Sequence, residues 1–214
     1  MRIGYPCINR SIGCSANRTF RLASYSEERL IDTVAGNISC LQKILAWNAW
    51  HDILFFRITS DLVPFASHPV CTFRWQEHFR NELAGMGEFI RKAGIRISMH
   101  PDQFIVLNAP DSKVVFRSIA ELAYHAAVLD AMGLDATAKI QLHVGGVYGD
   151  KGASLDRFAR ACENLDPAIR RRLVIENDDQ RFTAADCLSV HEATGIPVLF
   201  DVFHHACNNA GDDG

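Results

Sequence analysis

The seven cysteines of this 214-residue chain, at positions 7, 14, 40, 71, 162, 187 and 207, include no C-x-x-C pair and follow no regular framework. A structural zinc site built on them is therefore not expected, and they read as reduced, small buried hydrophobes. No apolar run approaches the roughly 20 residues that span a bilayer. The opening MRIGYPCINRS has no long apolar stretch before a small-residue cleavage site, so no secretory signal is read and a cytoplasmic location is expected. Neither G-x-G-x-x-G nor G-x-x-x-x-G-K follows the first strand-like run, which removes the usual dinucleotide and P-loop readings. Positive charge is not in excess either. With 22 Lys and Arg against 25 Asp and Glu, the net charge of −3 argues against a protein that coats nucleic acid through overall basicity.

An apolar fraction of 48% and a charged fraction of 22% are those of an ordinary globular domain, with length for one sizeable core or two small ones. Charge is unevenly placed. Between Cys7 and Ala23 lie Arg10, Arg18 and Arg21 with no acidic residue, interleaved with Asn9, Ser11, Ser15, Asn17 and Thr19, all able to donate hydrogen bonds to phosphate oxygens.

Strand and helix signals alternate along the chain. Strand-like runs lie at Arg2 to Pro6, Ile53 to Ile58, Ile95 to Met99, Lys139 to Val144, Leu173 to Ile175 and Pro197 to Phe200. They are apolar on both faces, as strands covered by helices should be. The first helix is expected to open on a capping box at Ser24-x-x-Glu27 and carries Leu30, Val34, Ile38, Leu41 and Leu45 at helical spacing. Another helix from about Asp111 carries Val115, Ile119, Leu122, Ala126 and Leu129. A second capping box, Thr183-x-x-Asp186, opens a later one, and Gly94, Gly133 and Gly195 mark helix ends.

Six βα units with no linker admit an open doubly wound sheet or a (β/α)₈ barrel lacking its last two units. What ends the strands decides between them. His100 follows IRISM, His143 follows KIQL, Glu176 follows RLVI, and Asp201 follows PVLF with His204 three residues later. A barrel gathers strand ends around one point, whereas an open sheet spreads them in a line at about 4.8 Å per strand. The expected fold is thus an α/β TIM-type barrel over residues 1–214, truncated to about six βα units. Mixed imidazole and carboxylate donors suit Mn²⁺, Zn²⁺ or Fe²⁺ better than Mg²⁺ or Ca²⁺. Five donors exceed the need of one catalytic ion, which points to a multinuclear hydrolytic centre. Gly145-Gly146-x-Tyr148-Gly149-Asp150-Lys151 follows His143, and Asn177-Asp178-Asp179 follows Glu176. Tyr148, Lys151, Asn177 and Asp178 are candidates for orienting the ligands. His51, His78, His125 and His191 lie in helical stretches and receive no role, and His204 is preferred to His205.

Gly4-Tyr5 with Asn9, Ser67-His68-Pro69, His100-Pro101-Asp102-Gln103-Phe104, His143-x-Gly145-Gly146-x-Tyr148-Gly149-Asp150-Lys151, Glu176-Asn177-Asp178-Asp179 and Asp201-x-x-His204-His205 together resemble the UV damage endonucleases, relatives of endonuclease IV in fold. The match runs through nearly the whole chain in order. The resemblance implies a metal-dependent repair enzyme that nicks damaged double-stranded DNA 5′ to UV photoproducts. It implies His68, His100, His143, Glu176, Asp201 and His204 as metal ligands. The ion is expected to be Mn²⁺, with Zn²⁺, Mg²⁺ and Co²⁺ as alternatives. It further implies that Gln103 and the following aromatic fill the gap left by a flipped-out lesion, with Tyr5 and Asn9 beside the flipped bases. Phe104 stands where the family usually has Tyr, a change that keeps stacking and loses a hydroxyl contact.

On the barrel rim, the loop bearing Arg10, Arg18 and Arg21 would meet phosphates and make affinity fall with salt. The family's remaining ligands, two His and a Glu, and a modified lysine come from later strands, so an incomplete ligand shell is expected here. A sugar isomerase or epimerase of the xylose-isomerase type shares such a rim, but needs neither a basic loop nor Gln103-Phe104. The third reading is a catalytically incomplete DNA-binding fragment. A monomer acting at the bacterial nucleoid is the expected context.

Overall fold

A computed structural model describes residues 2–209. Its packing groups the chain into two compact units, Met1–His100 with Tyr124–Ala138, and Pro101–Ala123 with Lys139–Gly214.

In the first unit, β1 (Gly4–Pro6), β2 (Phe55–Ile58) and β3 (Arg96–Met99) are joined through α1 (Glu27–Trp50), α2 (Trp75–His78) and α3 (Arg80–Ala93). β1 pairs parallel with β2, and β2 with β3. Each new strand is added on the same side, the winding of a barrel, where a doubly wound sheet reverses direction. α1 buries Leu30, Val34, Ile38, Leu41 and Leu45, the stripe its spacing predicts. Its cap is Ser26, which accepts from the Arg29 N–H, and not Ser24. Ser24 is taken up by a 3₁₀ turn at Leu22–Ser24, so the helix cannot start until two residues later.

α4 (Ser112–Ala131) follows β3. Its Tyr124 hydroxyl donates to the Ser60 carbonyl at 2.8 Å and accepts from the Val63 N–H at 3.0 Å, fixing the segment after β2. Gly94, Gly133 and Gly195 all adopt left-handed φ, at +67°, +63° and +73°, ending their helices as the sequence indicates.

The second unit holds β4 (Lys139–His143), β5 (Leu173–Glu176) and β6 (Val198–Leu199), also parallel and also in chain order. Between and after them come α5 (Lys151–Glu163), α6 (Pro167–Arg170), α7 (Ala184–Thr194) and α8 (Val202–Cys207). The Thr183 and Asp186 capping box forms in both directions at the start of α7. Every residue of β5 is buried, as a strand covered on both faces must be. Among the described residues no helix is long and apolar enough to cross a membrane.

One expectation fails outright. Cys14 and Cys40 are joined in a disulfide, their Cα atoms 5.9 Å apart. The loop after β1 folds back onto α1 and brings together two thiols 26 residues apart, a separation with no local signature. Cys162 and Cys187 do read as buried hydrophobes. Burial pushes both thiols up to about 12. In the unfolded chain they titrate near 8.5. A folded pKa above the unfolded one means stability is complete below the unfolded value and is lost as pH climbs toward 12. The two thiols together should cost about 4 kcal/mol by pH 10. Urea unfolding from pH 7 to 10 should show this decline, and Cys162→Ala with Cys187→Ala should flatten it. An unchanged slope in the double variant would mean other groups carry the alkaline loss.

Candidate metal centre

His143 and Glu176 end β4 and β5, and the ladder pairs them directly. Their side chains emerge side by side, with His143 Nε2 3.9 Å from Glu176 Oε2. Past β6, Asp201 caps α8 by accepting from the His204 N–H at 2.8 Å. That first helical turn carries His204 toward the same point, its ring centroid 5.3 Å from that of His143. Glu176, Asp201 and His204 offer ligand atoms within 4.8 Å of one another. At metal to donor distances of roughly 2.0–2.2 Å, donors that share an ion lie about 3–4.4 Å apart. The spacing between His143 and Glu176 falls inside that window.

The imidazoles are set for coordination by what holds their other nitrogen. His143 Nδ1 lies 3.2 Å from the Glu176 carbonyl oxygen and His204 Nδ1 2.9 Å from that of Asn177. A carbonyl only accepts, so both rings donate from Nδ1, which leaves the Nε2 lone pairs as ligands. Glu176 is 2% exposed and Asp201 and His204 are half-buried, so the donors sit where competing water is scarce. Two imidazoles and two carboxylates in this arrangement fit a divalent ion.

Asn177 ties the cluster together. Buried completely, it donates from its amide to the Asp201 carbonyl at 3.0 Å and accepts from the Asp201 N–H at 2.8 Å. Asn177→Ala would leave both Asp201 backbone groups without these partners. It should lower metal affinity about 10–100-fold and stability by about 2 kcal/mol. Titration with MnCl₂ and urea unfolding check the two effects. Full metal affinity in a destabilised variant would reduce Asn177 to a fold residue.

The neighbours serve other ends. The Asp178 carboxylate accepts from the backbone of Gln180 and Phe182, at 2.8 Å and 3.1 Å, and shapes the loop into α7. Lys151 pairs with Asp186 at 2.6 Å, linking α5 to α7. Tyr148 adopts φ +51° and lays its ring under Gly146, where a Cβ would meet it at 2.7 Å. The two glycines after His143 thus make room for protein.

Gln103 and Phe104 are the two central residues of a tight turn closed by the Ile105 N–H to the Asp102 carbonyl at 2.9 Å. Phe104 is 76% exposed, an aromatic ring held out in water. The turn's base is braced where sequence reading gave no signal. Ser118 of α4 accepts from the Val106 N–H at 3.0 Å, and the fully buried Asn108 donates to the Gly146 carbonyl at 2.8 Å.

In the first unit, His100 directly follows β3 and is half-buried, and His68 is exposed, its Nδ1 accepting from the Val70 N–H at 3.1 Å. Asn9 is buried and donates to the Tyr5 hydroxyl at 2.7 Å, which in turn donates to Asn48 at 2.6 Å. Burial raises the Tyr5 pKa against the pull of these bonds. Asn48 of α1 is the brace the sequence did not reveal. Arg10, Arg18 and Arg21 are all exposed, and the Arg18 backbone is clamped by Asn37, accepting and donating at 2.9 Å.

Solved structures bear on the class first. Endonuclease IV from Thermus thermophilus superposes with a TM-score of 0.53 at 17% identity, over 80% of this chain and 58% of that one, a likeness of fold that places the chain among the α/β barrels. The UV-endonuclease UvdE family model matches residues 1–213. The chain belongs to that family. It is 39% identical over 207 residues to the UV DNA damage endonuclease of Clostridium perfringens (strain 13 / Type A), across 97% of this chain and 50% of that protein. Its structure matches the crystal structure of SacUVDE at a TM-score of 0.96 and 48% identity, over 100% of this chain and 73% of that one. The chain therefore spans about half the length of the curated relative it matches.

Proposed function

We propose that this chain carries the metal centre and lesion-facing turn of an endonuclease that nicks double-stranded DNA 5′ to UV photoproducts. The observation that carries the reading is the cluster of His143, Glu176, Asp201 and His204, with both Nδ1 positions occupied by carbonyls. The mixed donor set favours Mn²⁺, with Zn²⁺, Co²⁺ and Mg²⁺ as alternatives. A bound divalent ion lowers the pKa of water and offsets charge building on phosphate oxygens. The protein's own part is to hold the donors rigid through Asn177 and to exclude bulk water from Glu176.

Lesion choice falls to the turn. Phe104, exposed in the turn, and Gln103 beside it are proposed to wedge into the duplex, and a damaged, poorly stacked site yields to a wedge more cheaply than an intact one. Arg10, Arg18 and Arg21 are proposed to face DNA phosphates, with Tyr5 and Asn9 beside the flipped bases. A small sugar would require no exposed wedge, which disfavours an isomerase.

Supercoiled plasmid irradiated with UV should become nicked circles with protein carrying this chain and Mn²⁺, and stay intact with EDTA. Nicking that survives EDTA would remove the metal from the mechanism. Gln103→Ala with Phe104→Ala should cut the preference for irradiated over untreated plasmid by about 10-fold or more, given roughly 1–3 kcal/mol per base–aromatic stack. Metal content should stay unchanged.

A further inference from the structure

We infer that the first unit contains a phosphate site distinct from the metal centre, built where the loop after β1 is bound to α1. A cleft of about 360 Å³ lies there, lined by Cys14, Ser15, Arg18, Ser39, Cys40 and Lys43, with Gly36 beneath the arginine. No carboxylate lines it. Among the described residues neither the Arg18 guanidinium nor the Lys43 ammonium has an ion-pair partner, and the Ser39 hydroxyl has no hydrogen bond. Two unneutralised cations and a free hydroxyl converging on one polar cleft are the donors a tetrahedral phosphate takes.

The site is preorganised. The Cys14–Cys40 disulfide fixes the loop to the helix, and the buried Asn37 clamps the Arg18 backbone from both sides. A Cβ at Gly36 would come 1.9 Å from an Arg18 guanidinium nitrogen, so the arginine lies directly against the helix because that residue is glycine. Gly36, Ser39, Cys40 and Lys43 share one face of α1 at spacings of three and four. Asn37 is ten residues into α1, about 15 Å along its axis from the first turn. Arg18 is thereby committed to the flank of α1. The ligand is a phosphate oxyanion, from either the DNA backbone away from the cut or free inorganic phosphate.

Two measurements on the whole chain in EDTA, which empties the metal centre, distinguish the sources. First, inorganic phosphate is titrated with protein and followed by ³¹P line broadening. Wild type should broaden the line, while Arg18→Ala with Lys43→Ala should not. Gly36→Ala should also abolish the broadening while the melting temperature holds or rises, because alanine favours the helix and the displaced group is the tip of a flexible side chain. Cys14→Ser with Cys40→Ser should weaken binding several-fold.

Second, the salt dependence of binding to an undamaged duplex is measured, an arm that rests on the DNA reading above. Loss of two phosphate contacts should lower the slope of log K against log salt by about 1.8. Arg80→Ala with Lys92→Ala, removing the same charge from α3, should change it less. Broadening lost with the slope unaltered identifies free phosphate as the ligand and keeps the site. No broadening by wild type, together with equal slopes in the two double variants, overturns it. Nicking that fails in Mn²⁺ bears on the metal centre alone and leaves the phosphate titration intact.

Discussion

Glu176→Gln is expected to weaken Mn²⁺ binding about 100-fold or more and to leave the metal-free protein no less stable in urea. The two halves follow from one geometry. Glu176 is buried at the end of β5, its carboxylate facing His143 Nε2 at 3.9 Å and grouped with the donors of Asp201 and His204. Glutamine keeps the shape and removes the charge that draws a cation into this point. Substitutions behind a ligand typically cost 10–100-fold, so losing a donor itself should cost at least the upper figure. Without an ion, Glu176 and Asp201 place two acidic groups close together, and the substitution relieves that repulsion. Titration with MnCl₂ gives the first value and urea midpoints in EDTA the second. A Mn²⁺ affinity within about threefold of wild type would remove Glu176 from the centre and with it the proposed mechanism. Loss of stability in EDTA would show that Glu176 is held by the fold for its own bonds.

The centre was legible in the sequence because parallel strands carry it. His143 and Glu176 are each the last residue of an apolar run, and strands added side by side in register bring such ends together. Asp201 and His204 were legible for a related reason, since an aspartate after a strand caps the next helix and aims its first turn. What supports these residues was less visible. Asn48 reaches Tyr5 across 43 positions and Asn108 reaches Gly146 across 38. An asparagine within a helix or loop leaves no trace of so distant a partner. The same holds for Cys14 with Cys40. Lys151 and Asp178, read from sequence as partners that orient the candidate ligands, have side-chain partners that sequence position did not reveal. Lys151 meets Asp186, and the Asp178 carboxylate is spent on backbone amides. Arg18 was read with Arg10 and Arg21 as one basic loop, and what the sequence did not show is that the side-chain amide of Asn37 holds the Arg18 backbone to α1.

Within α3, alanine at Gly87 and alanine at Gly85 should change stability in opposite directions. Gly85 is exposed, and a Cβ there meets nothing within 4 Å. Replacing it should therefore yield the ordinary helix gain of roughly 0.5–1 kcal/mol. Gly87 is buried, and a Cβ there would sit 1.6 Å from the carbonyl oxygen of Met132, just past the end of α4. Ordinary contact between such atoms needs about twice that distance. The obstructing atom is backbone, held in place by its own chain, so the helix has to move instead. Such a shift would also strain Arg91, which donates to the Met132 and Gly133 carbonyls at 3.2 Å and 2.7 Å one turn further along. Overpacking of this kind costs about 1–3 kcal/mol and at times more, and the broken bonds add to it. Even after the helix gain, Gly87→Ala should lose about 2 kcal/mol or more. Urea midpoints of the two single variants measure the contrast directly. Equal midpoints would mean that α3 does not approach the Met132 carbonyl this closely, and that the first unit is packed more loosely than its buried Leu83, Met86 and Ile90 imply.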